Sequence, residues 1–383
     1  MFFEMYKRVL ITGGAGFIGS NLALKLISKG YSVTVLDNLS QQIHGDDPSI
    51  TSPLYLTIKD KVNFIKGDVS VRCDWEKALD NQDAVIHLAA ETGTGQSMYE
   101  IGRYSKINIQ GTAMLWDILA NQQHSIKKVV VASSRAIYGE GKYKCGEHGV
   151  VFPLLREDIY MGNGDFNVKC PFCNCNVELL ATTEDSKIHP TSIYGLTKQV
   201  QEEMSMIAGR SLSIPVVVFR YQNVYGPGQS LSNPYTGILS IFSTRIKNGN
   251  EITIFEDGKE SRDFVYIDDV VSATILGLEK EEANFESFNI GRGERTDVFT
   301  VACALKEKYE SNVDIKITGN YRLGDIRDNF ADISKAMRLL GYKPEISFES
   351  GISSFVNWVN TQDIQKDNYS QSIEEMKRKG LYK

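Results

Sequence analysis

The segment Tyr194-Gly195-Leu196-Thr197-Lys198 places a phenol and an ammonium four residues apart. On a helix that spacing puts both groups on one face. A cation beside a phenol favours the phenolate, so the tyrosine pKa is expected to fall toward the range where it can take a proton as a general base. A helix is expected here, because Pro190 stops the preceding chain, Thr191 or Ser192 can cap, and Thr197 to Ile207 contains no breaker. Far upstream, Ser133-Ser134-Arg135-Ala136-Ile137-Tyr138-Gly139 offers hydroxyls that could share an oxygen with such a base. A Tyr/Lys pair of this spacing also occurs on solvated helices, so the surrounding elements decide its meaning.

Those elements begin with Arg8–Thr12, an apolar strand pattern, followed by Gly13-Gly14-Ala15-Gly16-Phe17-Ile18-Gly19. A helical pattern then runs from Phe17 to Lys29, with Ile18, Leu22, Leu26 and Ile27 on one face and Gly30 as its stop. Ser32–Leu36 forms a second strand pattern, with Asp37 and Asn38 at its end. A glycine turn between strand and helix lets the backbone approach a pyrophosphate resting on the helix N-terminus. An acid about 20 positions further on accepts hydrogen bonds from ribose hydroxyls. Asp37 fits that place, and no Arg or Lys follows closely to receive a 2′-phosphate, so NAD is expected rather than NADP. The expected cofactor contacts from this unit are Gly13, Gly16, Phe17, Ile18, Gly19, Asp37 and Asn38.

Three more strand patterns follow at βα spacing, Val62–Lys66, Ala84–Leu88 and Lys128–Ala132. Asp68 and Val69 end the first, where an acid can meet an adenine amino group. Leu88, Ala89 and Ala90 end the second with the small residues a backbone needs to pack against a cofactor. The connecting helix runs from Asn108 to Leu119, and Asn108 is assigned to the same contact set. His87, inside a buried strand, reads as a satisfied core histidine. Alternating strands and helices specify an α/β fold with a doubly wound, mostly parallel sheet.

Composition narrows the possible partners. The 383 residues suggest two domains, or one large α/β unit with a cap. Hydrophobic residues make up 42% and charged residues 23%, ordinary values for a chain with a sizeable core. The net charge of −6 gives no electrostatic case for nucleic acid or an anionic membrane. No run approaches the ~18 apolar residues of a membrane span. Met1–Lys7 lacks an apolar signal core, so a cytoplasmic chain is expected. Its six cysteines should then be thiols or metal ligands rather than disulfides.

Together these motifs resemble the extended short-chain dehydrogenase/reductase family, in its branch of NAD-dependent nucleotide-sugar epimerases and dehydratases. Further segments carry the resemblance: Arg220–Pro227, Arg262–Val270, Phe288–Gly291, Arg322–Arg327 and Ala331–Lys335. It implies a Rossmann fold with a smaller C-terminal α/β domain over the cofactor that grips a nucleoside diphosphate sugar. The implied division gives residues 1–222 to the NAD-binding domain, with 263–292 returning to it, and 223–262 with 293–383 to the sugar-nucleotide domain. By the same resemblance Asn223, Arg262 and Arg322 are expected diphosphate ligands and Asp325 a ribose ligand. That assignment suits the chemistry, since guanidinium forks match phosphate and a carboxylate matches a diol. A homodimer is implied by the family alone. Residues after Gln362 read as helical and charged, with no assigned chemistry.

The loop after the fifth strand narrows the reaction. Dehydratases of this family place Asp-Glu directly after the catalytic Ser or Thr, whereas Arg135 and Ala136 stand here. Without those acids 4,6-dehydration is disfavoured, and hydride transfer at a carbinol remains. Ser134 and Tyr194 would hydrogen-bond the sugar oxygen, with Arg135 beside them, and Lys198 would hold the nicotinamide ribose. The expected activity is a C4 epimerase with tightly bound NAD. The alternatives are an NAD(P)H-dependent ketoreductase or a non-catalytic NAD-sensing scaffold.

Ser134 and Tyr194 are separated by an insertion, residues 140–182, longer than is usual in the family. It contains Cys145-Gly-Glu-His148 and Cys170-Pro-Phe-Cys173-Asn-Cys175. Two close pairs joined by a loop are what a structural zinc knuckle needs, so Cys145, His148, Cys170 and Cys173 are the expected ligands and Cys175 a possible substitute. Cys73 and Cys303 fall in helical patterns and are expected to be buried. The insertion together with Ser-Ser-Arg-Ala resembles the group of dTDP-L-rhamnose 4-epimerases, which makes dTDP-L-rhamnose and dTDP-6-deoxy-L-talose the expected substrates and UDP-glucose/galactose the alternative.

Asp37 generates the first prediction. A 2′-phosphate beside its carboxylate would bring two negative groups together, so NADP should bind at least several-fold more weakly than NAD. Calorimetry should show this gap, and Asp37→Ser should narrow it; equal affinities in the unaltered protein would reject the assignment.

Overall fold

The computed structural model describes residues 7–233, 235 and 237–383. The signal-peptide reading of the N-terminus rests on residues 1–6, which lie outside them. Seven strands pair in parallel: β1 Arg8–Thr12, β2 Ser32–Asp37, β3 Asn63–Lys66, β4 Ala84–His87, β5 Lys128–Ser134, β6 Val216–Tyr221 and β7 Glu286–Ile290. Their order across the sheet is β7-β6-β5-β4-β1-β2-β3. The fold is thus an α/β Rossmann-like sheet. Its order reverses between β1 and β4, which opens a crevice at the carboxyl ends of those strands.

Parallel strands need both faces covered, and alternating side chains supply two apolar layers. Val9 and Ile11 of β1 and Val130 of β5 face helices α1 (Phe17–Ser28) and α5 (Ile267–Glu279). Leu10, Val129 and Val131 face the opposite layer, built by α2 (Arg72–Leu79), α3 (Gly111–Asn121) and α4 (Ile193–Leu212). The first layer continues without a break into the C-terminal part through Phe242, Ile254, Val301 and Leu305. Three small sheets sit there, and Ser261–Arg262 is held between Thr296–Asp297 and Asp328–Asn329.

The insertion folds as a separate three-stranded antiparallel ribbon. Tyr143–Cys145 lies between Gly149–Val151 and Glu178–Leu179, over its own small cluster of Tyr143, Cys145, Val151, Val168 and Cys170. Among the described residues no helix is long and apolar enough to cross a membrane. The expected burial of Cys73 and Cys303 is not observed, since both are exposed. Helix α2 buries Trp75, Ala78 and Leu79, and Val298–Lys308 buries Val301, Ala302 and Leu305, so each cysteine lies off the face that packs.

His87 is fully buried, its Nδ1 2.7 Å from Thr12 Oγ1 and its Nε2 2.9 Å from Thr112 Oγ1. Burial, helped by the Lys198 charge, pushes it down to about 3. The native protein therefore keeps His87 neutral where the unfolded chain takes up a proton. Its stabilisation is complete above the ordinary histidine pKa and is lost as pH falls from about 6.5 toward 3. Going from pH 7 to 5 should cost the protein about 2 kcal/mol from this residue. Urea titrations at the two pH values should show that loss, and His87→Gln should remove most of it; an undiminished loss in the variant would reject this account.

Candidate active site

The crevice at the sheet's switch point opens into a cavity of about 920 Å³. Its floor is the turn between β1 and α1. Gly13 sits at φ +67°, and a Cβ there would meet the Ala89 backbone at 2.8 Å, so this backbone pair approaches as only glycine permits. Gly16 precedes α1 and no side chain caps the helix, which leaves first-turn amides facing the cavity. A helix end of this kind suits a pyrophosphate. Gly13, Gly16, Phe17, Ile18 and Gly19 all line the cavity, as do Asn38, Val69, Leu88, Ala89 and Ala90.

Asp37 closes one end. Its Oδ2 accepts from Ala15 N at 3.0 Å and its Oδ1 from Leu39 N at 2.8 Å, which aims the carboxylate at the cleft. Burial raises its pKa, opposed by the Leu39 amide, His44 and the Ala15 amide. His44 lies 3.8 Å from Asp37 Oδ1 and 2.7 Å from Ser52 Oγ. No local motif in the sequence pointed to either residue. Asp68, expected at the adenine, does not line the cavity; it accepts from Asn38 at 3.0 Å, which ties the ends of β2 and β3 together. Asn108 does not line the cavity, contrary to the expectation. It is fully buried in a π-helical turn, Ser105–Gln110, where its amide bonds Glu91 N and O and Thr197 Oγ1 at 2.7, 3.1 and 2.9 Å. It braces the wall behind the cleft.

The other end holds Ser134, Tyr194 and Lys198. Ser192 caps α4 by accepting from Gly195 N at 3.1 Å. Gly195 packs so tightly that a Cβ would stand 2.5 Å from the Ala136 carbonyl, and this contact brings α4 onto the end of β5. Tyr194 then lines the cavity together with Ser134. Lys198 is buried and donates to the Ala132 carbonyl at 2.9 Å, and burial brings it down to about 7. Lys198 is not among the groups that shift the Tyr194 pKa. Burial raises the phenol, and the groups that pull it down are Ser134, by hydrogen bonding, and the Arg135 charge. Lys198 gives one of its three donors to the Ala132 carbonyl, and burial disfavours its charged form.

Across the cleft stand three guanidinium groups. Arg135 donates through Nε to Asn223 Oδ1 at 2.6 Å, and burial, aided by Arg262, brings it down to about 9. Arg262 donates to the carbonyls of Ser261, Arg327 and Ile326 at 2.8, 2.9 and 2.8 Å. Arg322 pairs with Asp325 at 2.6 Å and lies over the Phe255 ring, while its buried Nε has no partner among the described residues. All three arginines, with Asn223 and Asp325, line the same cavity. Glu260 lines it as well, its carboxyl raised by burial and by Glu256 to about 8. This collection of cations suits a diphosphate.

The chain after Gln362, to which the sequence reading assigned no chemistry, supplies a wall of the cavity. Tyr369, Ser372, Ile373 and Met376 of α6 (Tyr369–Arg378) line it, and Tyr369 is sandwiched between Phe255 and the Arg245 guanidinium. The apolar positions 369, 373 and 376 follow helical spacing, a signal that was present in the sequence. In the inserted ribbon Cys145, His148, Cys170 and Cys173 bring their ligand atoms within 4.8 Å of one another.

The family described as the NAD dependent epimerase/dehydratase family matches residues 9–150 and 176–291, more than half of the chain. The dTDP-L-rhamnose 4-epimerase of Burkholderia thailandensis is 34% identical over 94% of this chain and 97% of its own length. The UDP-glucose 4-epimerase of Thermotoga maritima, solved with UDP-glucose, is 31% identical, with a TM-score of 0.74 over 92% of this chain and 98% of that one. The UDP-glucuronic acid 4-epimerase of Bacillus cereus, solved with UDP-glucuronic acid and NAD, is 26% identical, with a TM-score of 0.75 over 92% and 99%. The chain belongs to the NAD dependent epimerase/dehydratase family and is an NAD-dependent enzyme.

Proposed function

We propose that this enzyme is a nucleotide-sugar C4 epimerase that retains NAD and interconverts dTDP-L-rhamnose and dTDP-6-deoxy-L-talose through a transient 4-keto sugar. The observation that carries the reading is that Ser134, Tyr194 and Lys198 line the same cleft as Arg135, Arg262 and Arg322, with Arg135 and Ala136 rather than carboxylates directly after Ser134. The full-length similarity to a dTDP-L-rhamnose 4-epimerase supports the choice of sugar. The similarity to a UDP-glucose 4-epimerase favours UDP-glucose/galactose as the second pair to test.

The residues divide the work by chemistry. NAD, when bound, supplies a hydride acceptor and donor next to the sugar C4. Glycine-turn amides and Asp37 would hold its pyrophosphate and ribose, and Lys198 its nicotinamide ribose. Tyr194 takes the C4 hydroxyl proton and gives it back, while Ser134 shares the same oxygen and fixes the sugar's orientation. Arg135 stabilises the phenolate by charge. Arg262, Arg322 and Asn223 hold the diphosphate, which leaves the sugar ring free to turn over at C4. Asp325, paired with Arg322, remains available to the nucleoside ribose.

Tyr194→Phe keeps the ring and removes the base, so turnover should fall by roughly 10²–10⁴ while the NAD content stays unchanged. In D₂O the epimer should gain no deuterium at C3, C4 or C5, and substrate deuterated at C4 should keep its label. NMR detection of solvent deuterium at C3 or C5 would show enolisation and reject the C4 route, and net reduction of added NAD would indicate a dehydrogenase.

Pairing of two copies along α4 completes the proposal. The outer stripe of that helix carries Leu196, 45% exposed, Val200, and Ile207, 70% exposed. Light scattering should report twice the chain mass, and Ile207→Glu should halve it; a monomer at micromolar concentration would reject the pairing.

A further inference from the structure

We propose that Cys145, His148, Cys170 and Cys173 bind one Zn²⁺ in a closed tetrahedral site, and that the ribbon so clamped holds the phosphate-side wall of the cleft in place through Arg156. Cys145 Sγ lies 3.6 Å from Cys173 Sγ and 3.6 Å from His148 Nδ1, and Cys170 Sγ lies 3.7 Å from the same nitrogen. A zinc tetrahedron with Zn–S of about 2.3 Å and Zn–N of about 2.0–2.1 Å has S–S edges of about 3.8 Å and S–N edges of about 3.6 Å. Three of the six edges stand close to those lengths, and all four atoms lie within 4.8 Å of one another. The separations are too long for a disulfide, whose sulfurs lie about 2.05 Å apart.

The exposed Cys175 thiol stands outside the cluster. Three sulfurs and one imidazole form a soft to borderline set that fills four positions, so the ion is structural and activates no water. The ribbon needs such a cross-link. Its two ladders are three and two residue pairs long, over only five buried side chains, too little for a hairpin to hold by itself.

At the foot of the ribbon Arg156 is buried. It donates to both Glu256 carboxylate oxygens at 2.7 and 2.8 Å, to Glu140 Oε1 at 3.2 Å and to the Asp325 carbonyl at 3.0 Å. Glu140 in turn accepts from Arg327 N at 2.8 Å. The neighbouring carbonyls of Ile326 and Arg327 are the ones that hold the Arg262 guanidinium. The ribbon is thus joined by one arginine to the segment that carries Asp325 and orients Arg262. Arg156 is a positioning residue, buried behind the cleft wall.

The test uses the full chain. Elemental analysis of protein purified without chelator should find one zinc per chain, and X-ray absorption should show three sulfurs and one nitrogen around it. Cys170→Ser combined with Cys173→Ser should abolish the zinc, whereas Cys175→Ser should retain it. Absence of zinc, or its retention in the double variant, would overturn the site; the spectrum of the unaltered protein decides if the double variant fails to fold. For the coupling, dTDP and UDP serve as probes in calorimetry, independent of any turnover. Arg156→Met should weaken nucleoside diphosphate binding by about tenfold, as expected for a lost charge-assisted contact, with zinc and NAD contents unchanged. Arg156→Lys should recover part of that loss. Unchanged dTDP and UDP binding in Arg156→Met would overturn the coupling and leave the metal site standing.

Discussion

The contact between α4 and the end of β5 sets the geometry on which the rest of this enzyme depends. Gly195 lets the helix sit against the Ala136 carbonyl, and Lys198 donates its ammonium to the Ala132 carbonyl. These two interactions fix both the height and the rotation of the helix on the sheet. Tyr194 is thereby brought to Ser134 across a sequence separation that includes the entire ribbon. A side chain at position 195 would lift the helix and separate the hydroxyls, because nothing else in the contact can shorten. Asn108 adds a third fastening from behind through Thr197, so the helix is held on both its inner faces.

Charge is distributed in the cleft with the same economy. Burial raises the Tyr194 phenol and lowers Lys198, while Ser134 and the Arg135 charge pull the phenol down. The arginine at position 135 thus has two effects: it takes a place where dehydratases of the family carry an acid, and it favours the phenolate. On the far side Arg322 is braced by Asp325 and Phe255, and Arg262 by three carbonyls. Guanidinium groups held this way have little rotamer freedom left to lose.

The chain ends and the insertion supply walls rather than chemistry. Helix α6 returns from the C-terminus to cover the cleft with Tyr369, Ile373 and Met376, and the ribbon meets the opposite wall through Arg156. Both are remote in sequence from the strands that hold the catalytic groups. They add walls to the cleft that a bare Rossmann sheet lacks.

Features that depend on short spacing were legible in the sequence. The strand, glycine turn, helix and Asp37 follow one another within thirty residues, and local sterics allow few alternatives. The i, i+4 placement of Tyr194 and Lys198 and the clustering of the two short Cys/His pairs of the ribbon belong to the same class. Tertiary packing alone decided the rest. Arg156 finds Glu256 100 positions away, and Arg135 finds Asn223 88 positions away, partners that no spacing rule can name. Helical periodicity suggested buried positions for Cys73 and Cys303, yet both helices present other faces to the core. Sequence spacing says which groups share a helix face, but desolvation and the nearest carbonyl, set only when the helix meets the sheet, decide what a buried charge can do.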